Sequence, residues 1–224
     1  IDADIGLRNL DVMLGLGNRI VYDIVHYIEV RCRLRQALVR DKRFPELFLM
    51  PAAQTRDKES ISVEDMTRVA RDTAELVEFV LIDSPAGIEP GFRYAVAPAD
   101  LVLIVTNAEV TAVRDADRVI GLLEAEALAP AKLIINRFKP ELVRRNEMLD
   151  SDTVVDLLAI DLIGIVPEDE RILSASNQGQ PVALDDRSPA GKAFRDIARR
   201  LNGEKIPFEA TQKQTFIQRL FGSR

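Results

Sequence analysis

The sequence predicts an α/β fold, a mainly parallel sheet with helices on both faces, and three observations carry that expectation. Apolar runs of strand length alternate with helical patterns along most of the chain, the signature of strand–helix–strand units. One such run, Phe79-Val80-Leu81-Ile82, ends on Asp83 and enters a Gly-containing turn, as strands do at the ligand-binding edge of open α/β sheets. The length, 224 residues, suits a single domain of this class.

Composition narrows the function. A hydrophobic share of 47% and a charged share of 29% belong to a soluble globular protein able to bury a full core. The net charge of -6 argues against general nucleic-acid affinity, which needs a basic face to release counterions. The single cysteine, Cys32, has no internal disulfide partner and no metal-binding neighbours, which fits a reducing cytoplasm. No apolar run approaches the roughly 20 residues that span a bilayer.

The chain opens on Ile1-Asp2-Ala3-Asp4-Ile5-Gly6. Positions two apart in a strand face one side, so Asp2 and Asp4 would stand together at the strand's mouth, where a hydrated Mg²⁺ and a phosphate could use them. The alternative is a capped turn in which both acids are solvated. An open α/β sheet whose phosphate site follows its first strand would place an earlier strand, loop and helix before Ile1.

Short helices are expected at residues 10–14, 22–28 and 34–38, with His26 packed rather than catalytic. Residues 47–51 read as a buried strand stopped by Pro51. Ser62 caps the next helix, whose stripe is Met66, Val69, Ala70, Thr73, Leu76 and Val77. Asp83 then lies at the sheet edge with Gly87 in the turn; in nucleoside triphosphatases such an acid holds Mg²⁺ through water and such a Gly amide senses the γ-phosphate. An Asp-x-x-x-Gly turn is also ordinary in any α/β protein.

Residues 101–106 form another strand, followed by Glu109 and a helix from about Thr111. Arg114, Asp115 and Asp117 lie off its apolar stripe, as a solvated face or a partner surface. The strand 132–135 ends on Asn136, whose amide can donate to and accept from an adenine edge. The strand 162–166 runs into Pro167 and Glu168, which either wall a base or make a plain strand-to-helix turn. Ser188-Pro189 opens the last domain helix, with Phe194 and Ile197 in its core stripe, and Asn202-Gly203 ends it.

Residues 1–203 are thus read as the α/β domain and 204–212 as a linker. In 213–224 Phe216, Ile217, Leu220 and Phe221 share one helical face flanked by the cations Lys213 and Arg219, the pattern of an amphipathic helix that lies in an anionic membrane surface; the alternative is a terminal helix that docks on its own domain or frays. So short a helix binds weakly alone, and two copies held together bind far more tightly, so that dimerisation would act as a membrane switch.

The motifs Asp2-Ala3-Asp4-Ile5-Gly6-Leu7-Arg8-Asn9-Leu10-Asp11, Pro51-Ala52-Ala53-Gln54-Thr55-Arg56-Asp57-Lys58, Asp83-Ser84-Pro85-Ala86-Gly87-Ile88-Glu89, Thr106-Asn107-Ala108-Glu109-Val110, Val113-Arg114-Asp115, Ala175-Ser176-Asn177-Gln178-Gly179 and Arg219-Leu220-Phe221-Gly222 resemble the MinD family of septum-site-determining ATPases over the whole chain. That family sits among the deviant P-loop ATPases with the ParA partition proteins and the nitrogenase iron protein; the last needs two cysteines per subunit, and Cys32 stands alone.

The resemblance implies a P-loop NTPase-like fold, ATP and Mg²⁺ as cofactors, and a catalytic Asp4 that positions or activates the attacking water while Asp2 supports the Mg²⁺ shell. It implies Asp83 on Mg²⁺ through water, Gly87 near the γ-phosphate, and Asn136, Pro167 and Glu168 around adenine. Asn9 and Glu109 would lie near the face of an ATP-bound homodimer, and Arg114, Asp115 and Asp117 where the family meets MinC and MinE. The implied location is peripheral, on the inner face of the cell membrane, with no specific nucleic acid. No Gly-x-x-x-x-Gly-Lys phosphate loop occurs in the 224 residues: Gly191-Lys192 has Asp186 where the first Gly belongs. That loop and its strand and helix are expected before Ile1, and residues 1–224 alone are expected to bind nucleotide poorly and to be inactive. The competing expectations are a non-hydrolysing interaction module and a ParA-like DNA partition ATPase.

Overall fold

The computed structural model describes residues 1–54, 61–88 and 90–208. In chain order these contain α1 (Leu10–Met13), α2 (Ile24–Ile28), α3 (Leu34–Ala37), β1 (Val39–Arg40), β2 (Phe48–Leu49), α4 (Val63–Ala74), α5 (Pro90–Val96) and β3 (Val102–Asn107). Then follow α6 (Val110–Ala125), β4 (Ala131–Phe138), α7 (Pro140–Arg144), α8 (Ser151–Leu158), β5 (Asp161–Pro167), α9 (Arg171–Asn177) and α10 (Pro189–Leu201). The amphipathic segment with Lys213, Phe216, Ile217, Arg219, Leu220 and Phe221 lies outside the described residues, as do Thr55–Lys58 and Glu89.

The predicted α/β class holds. β3, β4 and β5 form a parallel sheet in that order, with Val102 opposite Ala131 and Lys132 opposite Asp161. Alternate residues of β4 go to opposite faces, as a pleated strand requires. Leu133 and Ile135 enter a core with Leu123 of α6 and Val154 of α8, whereas Ile134 joins Ile163, Val166 and Ile197 of α10 on the other side. A second core lies around Ala3, Ile24, Met50, Met66 and Tyr94, beneath the opening strand.

Local signals explain the helix limits. Ser62 Oγ accepts the Asp65 amide at 3.0 Å and Ser188 Oγ accepts the Gly191 amide at 2.9 Å, satisfying donors that a first helical turn leaves open. Leu76, expected on the α4 stripe, falls past the helix end and is exposed, and Phe194 is likewise exposed on α10. His26 is half-buried and caps α2 with Asp23 instead of entering the core.

Two expectations about strands change. Only Phe48–Leu49 of the 47–51 run is a strand, and it pairs antiparallel with Val39–Arg40. The hairpin closes because the Asp41 carboxylate accepts the amides of Arg43 and Phe44 at 2.6 and 3.3 Å, a side-chain-made turn. The 79–83 run forms one parallel bridge, Asp83 with Asp2, and no longer strand. Residues 204–208, expected as linker, lie along α10: Arg200 donates to the carbonyls of Ile206 and Pro207, and its guanidinium sits 4.2 Å from the centre of the Phe208 ring.

The contact between β5 and α10 depends on Gly164, where a Cβ would stand 2.2 Å from Ile197 Cγ1, whereas Gly121 in α6 has nothing within 4 Å. Gly164→Ala is expected to destabilise the fold by about 1–3 kcal/mol through overpacking. Gly121→Ala should stabilise it by about 0.5–1 kcal/mol, since Gly is the poorer helix former. Urea denaturation of the two variants checks the opposite signs.

Candidate functional site

The site begins with main-chain pairing. Ile1 N donates to Leu81 O at 2.7 Å, Asp83 N to Ile1 O at 2.9 Å and Ala3 N to Asp83 O at 3.0 Å, a parallel ladder with Asp2 directly opposite Asp83. On its other edge Asp2 N donates to Met50 O at 2.9 Å. The two acidic motifs therefore leave this parallel bridge side by side and in the same direction.

Asp2 turns inward. It is 1% exposed, and its Oδ1 accepts the Asp4 amide at 3.1 Å while its Oδ2 accepts the Leu10 amide at 3.4 Å at the start of α1. Its carboxylate thus holds the loop between strand and helix. Asp4 is half-buried at the centre of a tight turn in which Ile5 N donates to Ala3 O at 3.1 Å. The Leu7 and Arg8 amides then donate to Asp4 O, Gly6 N donates to Ala53 O, and Arg8 takes a positive φ of 49°. Arg8 Nε lies 3.3 Å from Asp11 Oδ2, and the other Asp11 oxygen is buried without a partner.

Across the ladder, Asp83 is exposed and Gly87 turns the following loop with φ 88°. The loop feeds α5, where Gly91 permits the close approach: a Cβ there would meet Pro85 Cγ at 2.5 Å and Tyr94 Oη at 3.2 Å. Desolvation pushes the Asp2 carboxyl above its ordinary range, the two amides pull it back, and the charges of Asp83 and Asp4 push it up again. Desolvation also raises Asp83, the ammonium of Ile1 opposes that, and the Asp4 charge adds to it. Carboxylates whose ionised form is disfavoured in this way gain from a nearby cation. Among the described residues no group of three or more His, Cys, Asp or Glu makes a metal cage. The donor set instead suits a hydrated Mg²⁺ that takes most ligands from water and phosphate.

At the ends of β4 and β5, Asn136 stands opposite Asn107, and Phe138 opposite Pro167. Between them the register slips at Arg137, which takes a left-handed φ of 52° and turns its guanidinium to Glu168, with Nε 2.8 Å from Oε2 and Nη2 3.3 Å from Oε1. That pair holds the Glu168 carboxyl below its usual value. Glu168 is thus tied to Arg137, and Asp169 instead links the start of α9 to α10 through the Arg171 amide and Ser188 Oγ. Asn9 and Glu109 are exposed at the N-terminal ends of α1 and α6, and Arg114, Asp115 and Asp117 are exposed on α6.

Two residues that join neighbouring elements escaped sequence reasoning. Arg137 had no signal beyond its place next to Asn136. Arg43 donates to Leu14 O at 2.8 Å, to Gly179 O at 2.9 Å and to the buried Asp41 carboxylate, joining the β1–β2 hairpin to the ends of α1 and α9. A Cβ on Gly179 would stand 2.7 Å from Gly15 Cα, so the two glycines let those ends meet.

A parallel sheet with helices on both faces, together with a parallel bridge that carries two acidic loops, fits the architecture of ParA/MinD-type P-loop ATPases. The structure superposes on the MinD cell division protein of Aquifex aeolicus with a TM-score of 0.84 at 46% identity, covering 93% of this chain and 84% of that one. It matches the Aquifex MinC:MinD complex with a TM-score of 0.86 at 48% identity, with the same coverage of 93% and 84%. The fold is shared with MinD of Pyrococcus horikoshii complexed with Mg-ADP, at 22% identity and a TM-score of 0.79, over 92% of this chain and 85% of that one. In sequence, the chain is 48% identical to the septum site-determining protein MinD of Bacillus subtilis over 96% of its length and 81% of the relative's. It is 51% identical to MinD of Synechocystis over 93% of its length and 79% of the relative's. No protein-family model matches the chain. The chain belongs to the MinD family of septum site-determining proteins.

The Asp41–Arg43 pair makes a pH-dependent contribution. Hydrogen bonds from Arg43 lower the Asp41 carboxyl from 3.8 to about 2, so its stabilisation is complete above the unfolded value and disappears as pH falls through the folded one. Asp41→Asn should be less stable than the native protein near neutrality, and the difference should shrink between about pH 4 and 2, as read by urea midpoints across that range.

Proposed function

We propose that the protein is a Mg²⁺-dependent ATPase that dimerises when ATP-bound, lies peripherally on the inner face of the cell membrane, and positions the division septum by recruiting MinC and responding to MinE. The observation that carries this reading is the register that sets Asp2 opposite Asp83 and sends both acidic loops to one rim. Family membership supports the septum role, and the Aquifex MinC:MinD complex supports MinC as partner. The Mg-ADP complex of the Pyrococcus relative supports nucleotide and Mg²⁺ at such a rim.

Each residue has a task in this account. Asp4, at the apex of its turn, accepts a hydrogen bond from the attacking water and aligns it. Asp2 holds the loop that presents Asp4 and stands behind the Mg²⁺ shell, its own oxygens already engaged by amides. Asp83 accepts hydrogen bonds from water around the metal, and the Gly87 amide donates to the terminal phosphate. Bound Mg²⁺ supplies charge neutralisation to the phosphate oxygens. Asn136 reads the adenine edge, with Pro167 and Glu168 beside it. Asn9 and Glu109 line the dimer face, and the exposed Arg114, Asp115 and Asp117 of α6 offer the partner surface. No helix among the described residues is long and apolar enough to cross a membrane, and membrane contact is assigned to Phe216, Ile217, Leu220 and Phe221 with Lys213 and Arg219.

Asp4→Asn in the full-length protein tests the chemistry. Its kcat for ATP should fall by about 10²-fold or more, the ordinary contribution of a positioned acid or base, with the melting temperature held; an undiminished kcat would overturn the assignment. Phe216→Glu with Leu220→Glu should abolish ATP-dependent sedimentation with anionic vesicles and leave hydrolysis in solution intact. Retained vesicle binding would remove the membrane role from this segment.

A further inference from the structure

We infer that Tyr94 is a positioning residue for hydrolysis, a strut that ties the Asp4 turn to the helix following the Asp83–Gly87 loop. This rests on the ATPase reading above. Tyr94 is 2% exposed in the core beneath the opening strand, and its hydroxyl donates to the carbonyl of Ala3 at 2.9 Å. That carbonyl is the one that closes the turn around Asp4, since it also accepts the Ile5 amide at 3.1 Å. The Ala3 amide in turn donates to Asp83 O at 3.0 Å. Ala3 is therefore fixed at both its polar atoms, by the neighbouring acidic segment on one side and by α5 on the other.

The fold makes room for this contact. Gly91, one turn before Tyr94 on α5, lets the helix approach Pro85 and the phenol so closely that a Cβ would stand 2.5 Å from Pro85 Cγ. The same short helix thus touches the Asp83–Gly87 loop through Gly91 and the Asp4 turn through Tyr94. A shift in either loop is transmitted to the other through about one turn of helix. Burial and the charges of Asp4 and Asp2 keep the phenol protonated, so it remains a donor at all working pH values.

The Ile5 amide still satisfies the Ala3 carbonyl when the hydroxyl is removed, so no buried acceptor is orphaned. Tyr94→Phe keeps the ring in the core and deletes only the strut. In the full-length protein it should lower the unstimulated kcat for ATP by about tenfold, because small misplacement of a reacting group is costly, with KM for Mg-ATP unchanged. Amide hydrogen exchange should quicken at Ile5, Gly6 and Leu7 and stay unchanged in β4, with the melting temperature held. An unchanged kcat with unchanged exchange would overturn the inference. So would exchange rising evenly across the domain with a fall in melting temperature, the mark of a core residue alone. The native full-length protein, measured in parallel, separates the two levels: if it shows no Mg²⁺-dependent hydrolysis of ATP, the ATPase reading fails, while the exchange at residues 5–7 still decides whether Tyr94 holds the turn.

Discussion

Everything at the rim depends on a few main-chain hydrogen bonds between residues 1–3 and residues 81–83. Two carboxylates directly opposite each other in a parallel ladder repel, and the buried one also loses water. The pairing survives because Asp2 is answered by the amides of Asp4 and Leu10 and because the core under the strand, Ala3, Ile24, Met50 and Tyr94, is closed to solvent. Asp2 thus exchanges hydration for two amide donors. Asp83 is left exposed and Asp4 half-buried beside a bridge whose register is fixed, since a shift of one residue would send alternating side chains to opposite faces.

The electrostatics then follow. The raised carboxyls of Asp2 and Asp83 mean that folding disfavours their ionised form relative to the unfolded chain, so their ionisation, as pH rises past the unfolded value, subtracts from stability. In the proposed reading a hydrated cation bound with a phosphate would relieve that cost. The Asp41–Arg43 pair works in the opposite sense: its acid is depressed, and its guanidinium satisfies the carbonyls of Leu14 and Gly179 where two short helices meet. The exposed Arg137–Glu168 pair contributes little to stability, as solvated pairs do, and its effect is to fix which way Glu168 points.

Much of this was visible before any coordinates. The alternation of strands and helices was legible, but the two-residue period would set Asp2 and Asp4 side by side and make 79–82 a strand, whereas the chain forms a single bridge, Asp2 with Asp83, that leaves Asp2 buried and Asp4 in the following turn. Ser62 and Ser188 announced their helices because a hydroxyl before a helical stripe has a local job. The paired strand Val39–Arg40 could not be read, since two residues show no period, and its stability comes from the Asp41 turn. Arg137 was missed because its left-handed backbone is imposed by the slip between β4 and β5, and arginine carries no sign of it. Tyr94 drew no reading at all, since nothing local reveals that its hydroxyl meets a carbonyl 91 positions away in the chain.

The most direct measurement is a crystal structure of the full-length protein with Mg²⁺ and ATP. The account requires the terminal phosphate to lie between Asp4 and Asp83, with a metal-bound water on the Asp83 carboxylate and the Gly87 amide turned to the phosphate. A triphosphate seated at another edge of the sheet, or a metal shell in which neither acid takes part, would contradict it.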